Sequence, residues 1–210
     1  EAPAAEQPAA EPSTLLEQIK AKGKVVVGTE AQYAPYEFKD LDANFAGCDM
    51  WLAQQIADSL GVELEVVDMA FDGIIPAVQS GQVDLGIAAF TNTPERAEEI
   101  DFSDLYETSA QLLIVKAGNA DTYSTKESLV GLKVGAQKGT IQSQLIQSAL
   151  EVSNFEFSAE EASFGKSVVI AKGNEDLVAV VNEVINKVTA DGSYQKAYDE
   201  AVELAASLGL

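Results

Sequence analysis

Histidine is absent from this chain, and cysteine and arginine each occur once. Without histidine there is no Ser-His or Cys-His nucleophile, no imidazole general base and no histidine metal ligand. A single cysteine, Cys48, excludes an intrachain disulfide. It stands in "GCDMWLAQQIADSLG", which reads as an amphipathic helix. Cys48 is therefore expected to be a small buried hydrophobe; the alternative, a reactive thiol, lacks a basic sequence neighbour to lower its pKa. No apolar run reaches the roughly 18 residues that mark a membrane-spanning helix. Neither a glycine-rich phosphate loop nor a Cys/His cluster is present. No catalytic residue, metal site or cofactor is expected.

Positive charge is scarce as well. The 210 residues carry 13 basic and 34 acidic side chains, a net charge of -21. Such a chain has no basic stripe to displace counterions from nucleic acid and no electrostatic pull towards anionic lipid. The excess of acid reads as a device for solubility outside the cell. Carboxylate pairs are abundant, and none is read as lying in the apolar setting that would fit it for acid–base work.

Residues 1–12, "EAPAAEQPAAEP", hold only Glu, Ala, Pro and Gln. They read as an extended, disordered tether of a processed, lipid-anchored protein outside the cell, with a cloning remnant as the alternative. "STLLEQIKAKG" predicts a short helix capped by Ser13 and stopped at Gly23. "KVVVGTE" predicts a buried strand, and residues 48–60 a helix ending at Gly61. "VELEVVDM" predicts a strand, "FDGIIPAVQSG" a loop and short helix, and "VDLGIAAF" another buried strand. Thr93-Pro94 opens a helix. Alternation of this kind predicts an α/β fold with a mostly parallel sheet. Further on, "LLIVKAGN" (112–119) echoes "SVVIAKGN" (167–174), as two passes of the chain between the same two bodies would. "KVGAQ" predicts a fourth strand leading into a helix start at "KGTIQ". Residues 175–208 have the spacing of two helices.

Arg96 is the one guanidinium among twelve lysines. Its planar fork can hold a carboxylate through two parallel hydrogen bonds, which lysine cannot do. It follows "GIAAFT", a strand end, where open parallel sheets bind ligands. An ordinary ion pair with Glu99 is the competing reading. "GTEAQYAPYEF" and "DMAFDG" place Glu30, Tyr33, Tyr36, Phe38 and Phe71 at other strand ends, where aromatics either sandwich a ligand or plug the sheet top. Gly139 and Thr140 sit at a helix start whose free N–H groups favour an anion.

The order "VVVGTEAQYAPYEF", "GCDMWLAQQIADSLGVELEVV", "FDGIIPAVQSGQVDLGIAAFTNTPERAEEIDFSDLYE", "LVGLKVGAQKGT" and "VVIAKGNEDL" resembles the polar amino-acid-binding proteins of bacterial ABC importers, the family 3 extracytoplasmic solute-binding proteins. The resemblance covers about residues 24–142 and 166 to the end. It implies two α/β lobes joined by two crossover strands, a periplasmic-binding-protein-like fold. Lobe 1 would comprise 13–114 and 168–210, and lobe 2 would comprise 115–167. It implies that Arg96 grips the α-carboxylate of a polar L-amino acid, with Thr91 beside it. The Ala89 carbonyl would meet the α-ammonium, with Phe90 in the same site. Thr140 and the Ile141 N–H would contact the carboxylate from lobe 2, Tyr33 and Phe71 would pack on the side chain, and Glu30 would read a basic or amide end. The implied partners are a small-molecule amino acid and the membrane subunits of an ABC permease, and a monomer is expected. The chain departs from the family after "GTIQSQLIQSAL", where a long segment with an acidic partner for the ammonium is missing. Lobe 2 is thus expected to be truncated. A sensor or interaction module that no longer binds an amino acid is the alternative reading.

Overall fold

A computed structural model describes residues 14–110, 112–125, 127–144, 146 and 163–210. Helix α1 (Leu15–Lys22) is capped by Thr14, not by Ser13, which lies outside the described residues. The Thr14 hydroxyl accepts the Glu17 N–H and the Glu17 carboxylate accepts the Thr14 N–H, both at 3.2 Å. That reciprocal pair satisfies two otherwise free donors of the first turn.

Strand β1 (Lys24–Thr29) is the spine of a five-stranded sheet ordered β4–β1–β5–β9–β6. The others are β4 (Glu63–Asp68), β5 (Leu85–Gly86), β6 (Ile100–Phe102) and β9 (Val169–Ala171). β1 runs parallel to β4 and β5, while β9 runs antiparallel to both β5 and β6. Four strands therefore share one direction, as the sequence alternation predicts. Only Leu85–Gly86 of "VDLGIAAF" forms regular ladder.

Side chains alternate across the sheet and define two helical layers. Val25, Val27, Leu85 and Ile170 face α2 (Cys48–Leu60), α5 (Glu175–Ala190) and α6 (Ser193–Leu208), packing on Ile19, Leu52, Ile56, Leu177 and Ile185. Val26, Val67 and Val169 face α3 (Phe71–Gln79) through Ile74, Ala77 and Val78. Gly86 permits that second contact, because a Cβ there would come 2.8 Å from Ile74 Cγ2. Within the loop read between β1 and α2, a short hairpin forms from β2 (Phe38–Lys39) and β3 (Phe45–Ala46).

The passage out of this body differs from expectation. β7 (Glu107–Ala110) pairs antiparallel with β8 (Ser163–Lys166), so the chain leaves and returns as one ribbon. "LLIVKAGN" begins after β7 and holds no strand, and Leu112 and Ile114 are 84% and 94% exposed. "KVGAQ" (133–137) is not a strand either. An apolar run becomes a strand only when a neighbour completes its ladder, and neither run has one among the described residues. Among the described residues from 112 to 146 the regular structure is a 3₁₀ turn at Glu127–Leu129 and helix at 141–144 and 146. Most of "EVSNFEFSAEEASFG" lies outside the described residues.

Candidate functional site

After β5 the chain runs past Ala89 and Thr91 and turns into α4 (Pro94–Glu99). Pro94 at the first helical position and Thr93 at the cap start this helix, and Thr93 Oγ1 accepts the Arg96 N–H at 3.3 Å. The Arg96 side chain folds back over the strand end. Its Nη1 donates to the Thr91 carbonyl and its Nη2 to the Gly139 carbonyl, each at 2.9 Å. The guanidinium carbon lies 5.6 Å from the centroids of both Phe71 and Phe90, whose rings stack 4.7 Å apart. Burial draws its pKa down from the ordinary value. Among the described residues no ion pair involves Arg96, and Glu95, Glu98 and Glu99 are exposed. The ion-pair reading with Glu99 is thus not what the structure shows.

Arg96 borders a cleft of about 900 Å³. Glu30, Tyr33, Phe71, Ala89, Thr91, Thr140 and Ile141 line it too, so eight of the nine residues that the resemblance assigns to the ligand face one space, while Tyr36 and Phe38 are buried. Phe90 does not. It is fully buried and supports Phe71 from behind, because the side-chain alternation after β5 turns it into the α3 layer.

The opposite rim is the turn 137–140. Gln137 Nε2 donates to the Glu30 carboxylate, whose other oxygen accepts the Phe71 N–H at 3.4 Å. Lys138 pairs with Asp72 at 2.7 Å. Gly139 has φ +80°, and a Cβ on it would come 2.8 Å from Asp72 Cβ, so glycine alone allows this approach. Thr140 Oγ1 donates to the Gln137 carbonyl at 2.6 Å and accepts the Ser143 N–H at 3.3 Å, capping the helical turn that Ile141 begins.

Beneath the cleft lies a charged cluster that the sequence reading missed. Glu37 and Asp49 are 1% and 0% exposed, contrary to the expectation that no carboxylate occupies an apolar setting. Burial pushes both carboxyls above their ordinary range. Lys166, 5% exposed, donates to Glu107 at 3.1 Å across the β7–β8 ribbon and sits 3.6 Å from the Tyr36 ring centroid. Both Lys166 and Glu37 reach the cleft wall. The available signal was a single charge inside apolar stretches, "APYEF", "GCDMWL" and "FGKSVV". Gln137 and the Gly139 carbonyl had no such signal, since one is an ordinary surface amide and the other is backbone. Cys48 is buried as expected and its thiol is pushed up by that burial. Among the described residues no group of His, Cys, Asp or Glu is arranged to hold a metal, and no helix is long and apolar enough to cross a membrane.

Residues 25–203 match the model of the bacterial extracellular solute-binding proteins, family 3. An arginine-binding extracellular protein of Bacillus subtilis (strain 168) is 41% identical over 123 residues. That match takes in 59% of this chain and 47% of the relative, so the chain spans about half the relative's length. An L-cystine-binding protein of Escherichia coli (strain K12) is 28% identical over 225 residues, covering 86% of this chain and 83% of the relative. The alignment is thus longer than this whole chain, and some tens of the relative's positions face no residue here. A solved amino acid ABC transporter substrate-binding protein of Streptococcus pneumoniae, bound to L-arginine, superposes with a TM-score of 0.83 at 31% identity, over 90% of this chain and 98% of that one.

Proposed function

We propose that this chain, which belongs to the bacterial extracellular solute-binding proteins of family 3, captures a polar L-amino acid in the cleft beside Arg96 and delivers it to an ABC permease outside the cytoplasm. The observation that carries this reading is the Arg96 fork. It is backed by Phe71 and Phe90 and turned to the cleft, with its acceptors on opposite rims. A ligand carboxylate is a stronger acceptor than a carbonyl and replaces Gly139 at Nη2. Tyr33 and Phe71 flank the side chain, and Glu30, released from Gln137, takes a basic or amide end. Ala89 offers its carbonyl to the ammonium, and Thr91, Thr140 and Ile141 complete the carboxylate's surroundings. Residues 13–114 and 168–210 form the first lobe and 115–167 a shortened second one. The protein works as a monomer, lipid-anchored, and as a carrier rather than an enzyme.

Calorimetry with the twenty amino acids tests the reading. Heat is expected from a basic or amide amino acid, and Arg96→Lys is expected to weaken it. An unchanged affinity in that variant removes the carboxylate role.

The exposure of Leu112 and Ile114, without a second sheet beside them among the described residues, favours one other reading: a sensor or interaction module that has lost amino-acid binding. A cooperative thermal transition with no heat from any amino acid is its signature.

A further inference from the structure

Ala89 has φ +47°, a left-handed conformation that alanine seldom adopts. Its N–H donates to Asp49 Oδ2 at 2.8 Å, and the Tyr106 hydroxyl donates to the same oxygen at 2.9 Å. Asp49 is wholly buried in the first turn of α2, and its other oxygen, Oδ1, has no hydrogen-bond partner. Glu37 Oε2 is equally buried and equally without one. After burial itself, the charge of Asp49 is the largest influence holding the Glu37 carboxyl above its ordinary range. Two neighbouring buried carboxyls resist ionising together, so the second proton leaves only at a higher pH than the first. A proton held between them supplies the hydrogen bond that these orphaned oxygens lack. Asp49 already accepts from Ala89 and Tyr106, which stabilises it as the anion, so the proton resides on Glu37.

We infer that Glu37 and Asp49 form a proton-sharing pair that positions Ala89 at the cleft wall and thereby makes ligand affinity depend on the protonation of Glu37. This rests on the reading above in which the Ala89 carbonyl receives the ligand ammonium. The charged and titratable groups around the pair include Lys166, Glu107, Glu30, Cys48, Tyr33, Tyr106 and Tyr194. Lys166, the nearby cation, is already engaged by Glu107 and Tyr36, so it offsets only part of a second negative charge. When Glu37 loses its proton, the carboxyls repel, the Asp49 hold on the Ala89 N–H loosens, and the residue is free to leave its strained conformation. Glu37 and Asp49 act through Ala89 and are positioning residues.

Glu37→Gln separates this from a merely structural role, because the amide still donates to Asp49 but does not titrate. In the wild type, affinity for L-arginine is expected to weaken at least about tenfold as pH rises through the titration of Glu37, which burial holds above the ordinary carboxylate range, the loss of one charge-assisted hydrogen bond. The E37Q variant is expected to match the wild type at the acid end and to keep its affinity across the range. The Ala89 amide resonance, followed without ligand, is expected to move with pH in the wild type and to stay fixed in E37Q. Asp49→Ala is expected to abolish the protection of that amide from hydrogen exchange. If E37Q titrates as the wild type does, or if the Ala89 amide ignores pH in both, the pair has no such role. If D49A does not fold, E37Q and the amide titration still decide. If no amino acid gives heat at any pH, the binding reading fails while the Ala89 amide still judges the pair.

Discussion

Arg96 joins Thr91 to Gly139, donating to each carbonyl at 2.9 Å through a different arm of its fork. One guanidinium so ties the end of the central sheet to a turn 43 residues further along the chain. Gln137–Glu30 and Lys138–Asp72 fasten the same turn on either side. The rim of the cleft is thus docked by three polar contacts.

Replacing Arg96 by lysine leaves a point charge that reaches one carbonyl at a time. Affinity for a basic amino acid is expected to fall roughly 10- to 100-fold, the worth of one charge-assisted hydrogen bond. Arg96 lies outside both core clusters, so the unfolding midpoint is expected to stay close to the wild type. Calorimetry and a thermal melt on one sample check both statements.

Gly139→Ala forces a Cβ into a left-handed position and against Asp72. The strain is about 1 to 2 kcal/mol. It is expected to be relieved by undocking the turn, not by unfolding the body. Trp51, packed on the main core, reports the body by its fluorescence, and its urea midpoint is expected to hold. Amide exchange at 137–144 is expected to quicken. A lower midpoint with unchanged exchange at the turn contradicts this.

These contacts show how far the sequence could be read. β1, α2 and the two C-terminal helices were legible because each buries a regular stripe, such as Val25 and Val27 or Leu52 and Ile56, and β4 because exposed and half-buried side chains alternate along Glu63–Val66. Thr93-Pro94 marked α4 by local chemistry alone. Arg96 stood out because arginine is otherwise absent. The carbonyl of Gly139 and the hairpin Phe38–Lys39/Phe45–Ala46 carry no such mark, since one is backbone and the other has two residues per strand. Glu37 and Asp49 were hidden by a chain in which acids abound. Only the packed fold distinguishes these two from the many that face water.

Stability against pH is expected to pass through a maximum in mild acid. Hydrogen bonding from Lys39 holds the Asp68 carboxyl below its ordinary range. A depressed pKa contributes stability above the unfolded value, about 3.9, and that contribution is lost as pH falls. Glu37 has the opposite sign, because burial raises it. Its contribution is complete below the unfolded value of about 4.3 and declines as pH rises towards the folded one. Urea unfolding at a series of pH values checks the curve. Glu37→Gln is expected to remove part of the alkaline decline, which separates it from general repulsion at a net charge of -21. An E37Q curve parallel to the wild type rules the assignment out.

The two echoing runs offer a sharper test of burial against composition. Ile114 in "LLIVKAGN" and Ile170 in "SVVIAKGN" are the same residue in similar apolar company, yet they are 94% and 0% exposed. Ile170 lies in β9 between β5 and β6 and packs on the layer of α2 and α5. Ile170→Ala is expected to cost about 2 to 5 kcal/mol through lost transfer energy and a residual cavity. Ile114→Ala is expected to stay within about 0.5 kcal/mol, as surface substitutions do. Paired urea titrations measure both. A large cost at Ile114 means that this run is covered in solution by a surface absent from the described residues, which favours the interaction-module reading over the binding one.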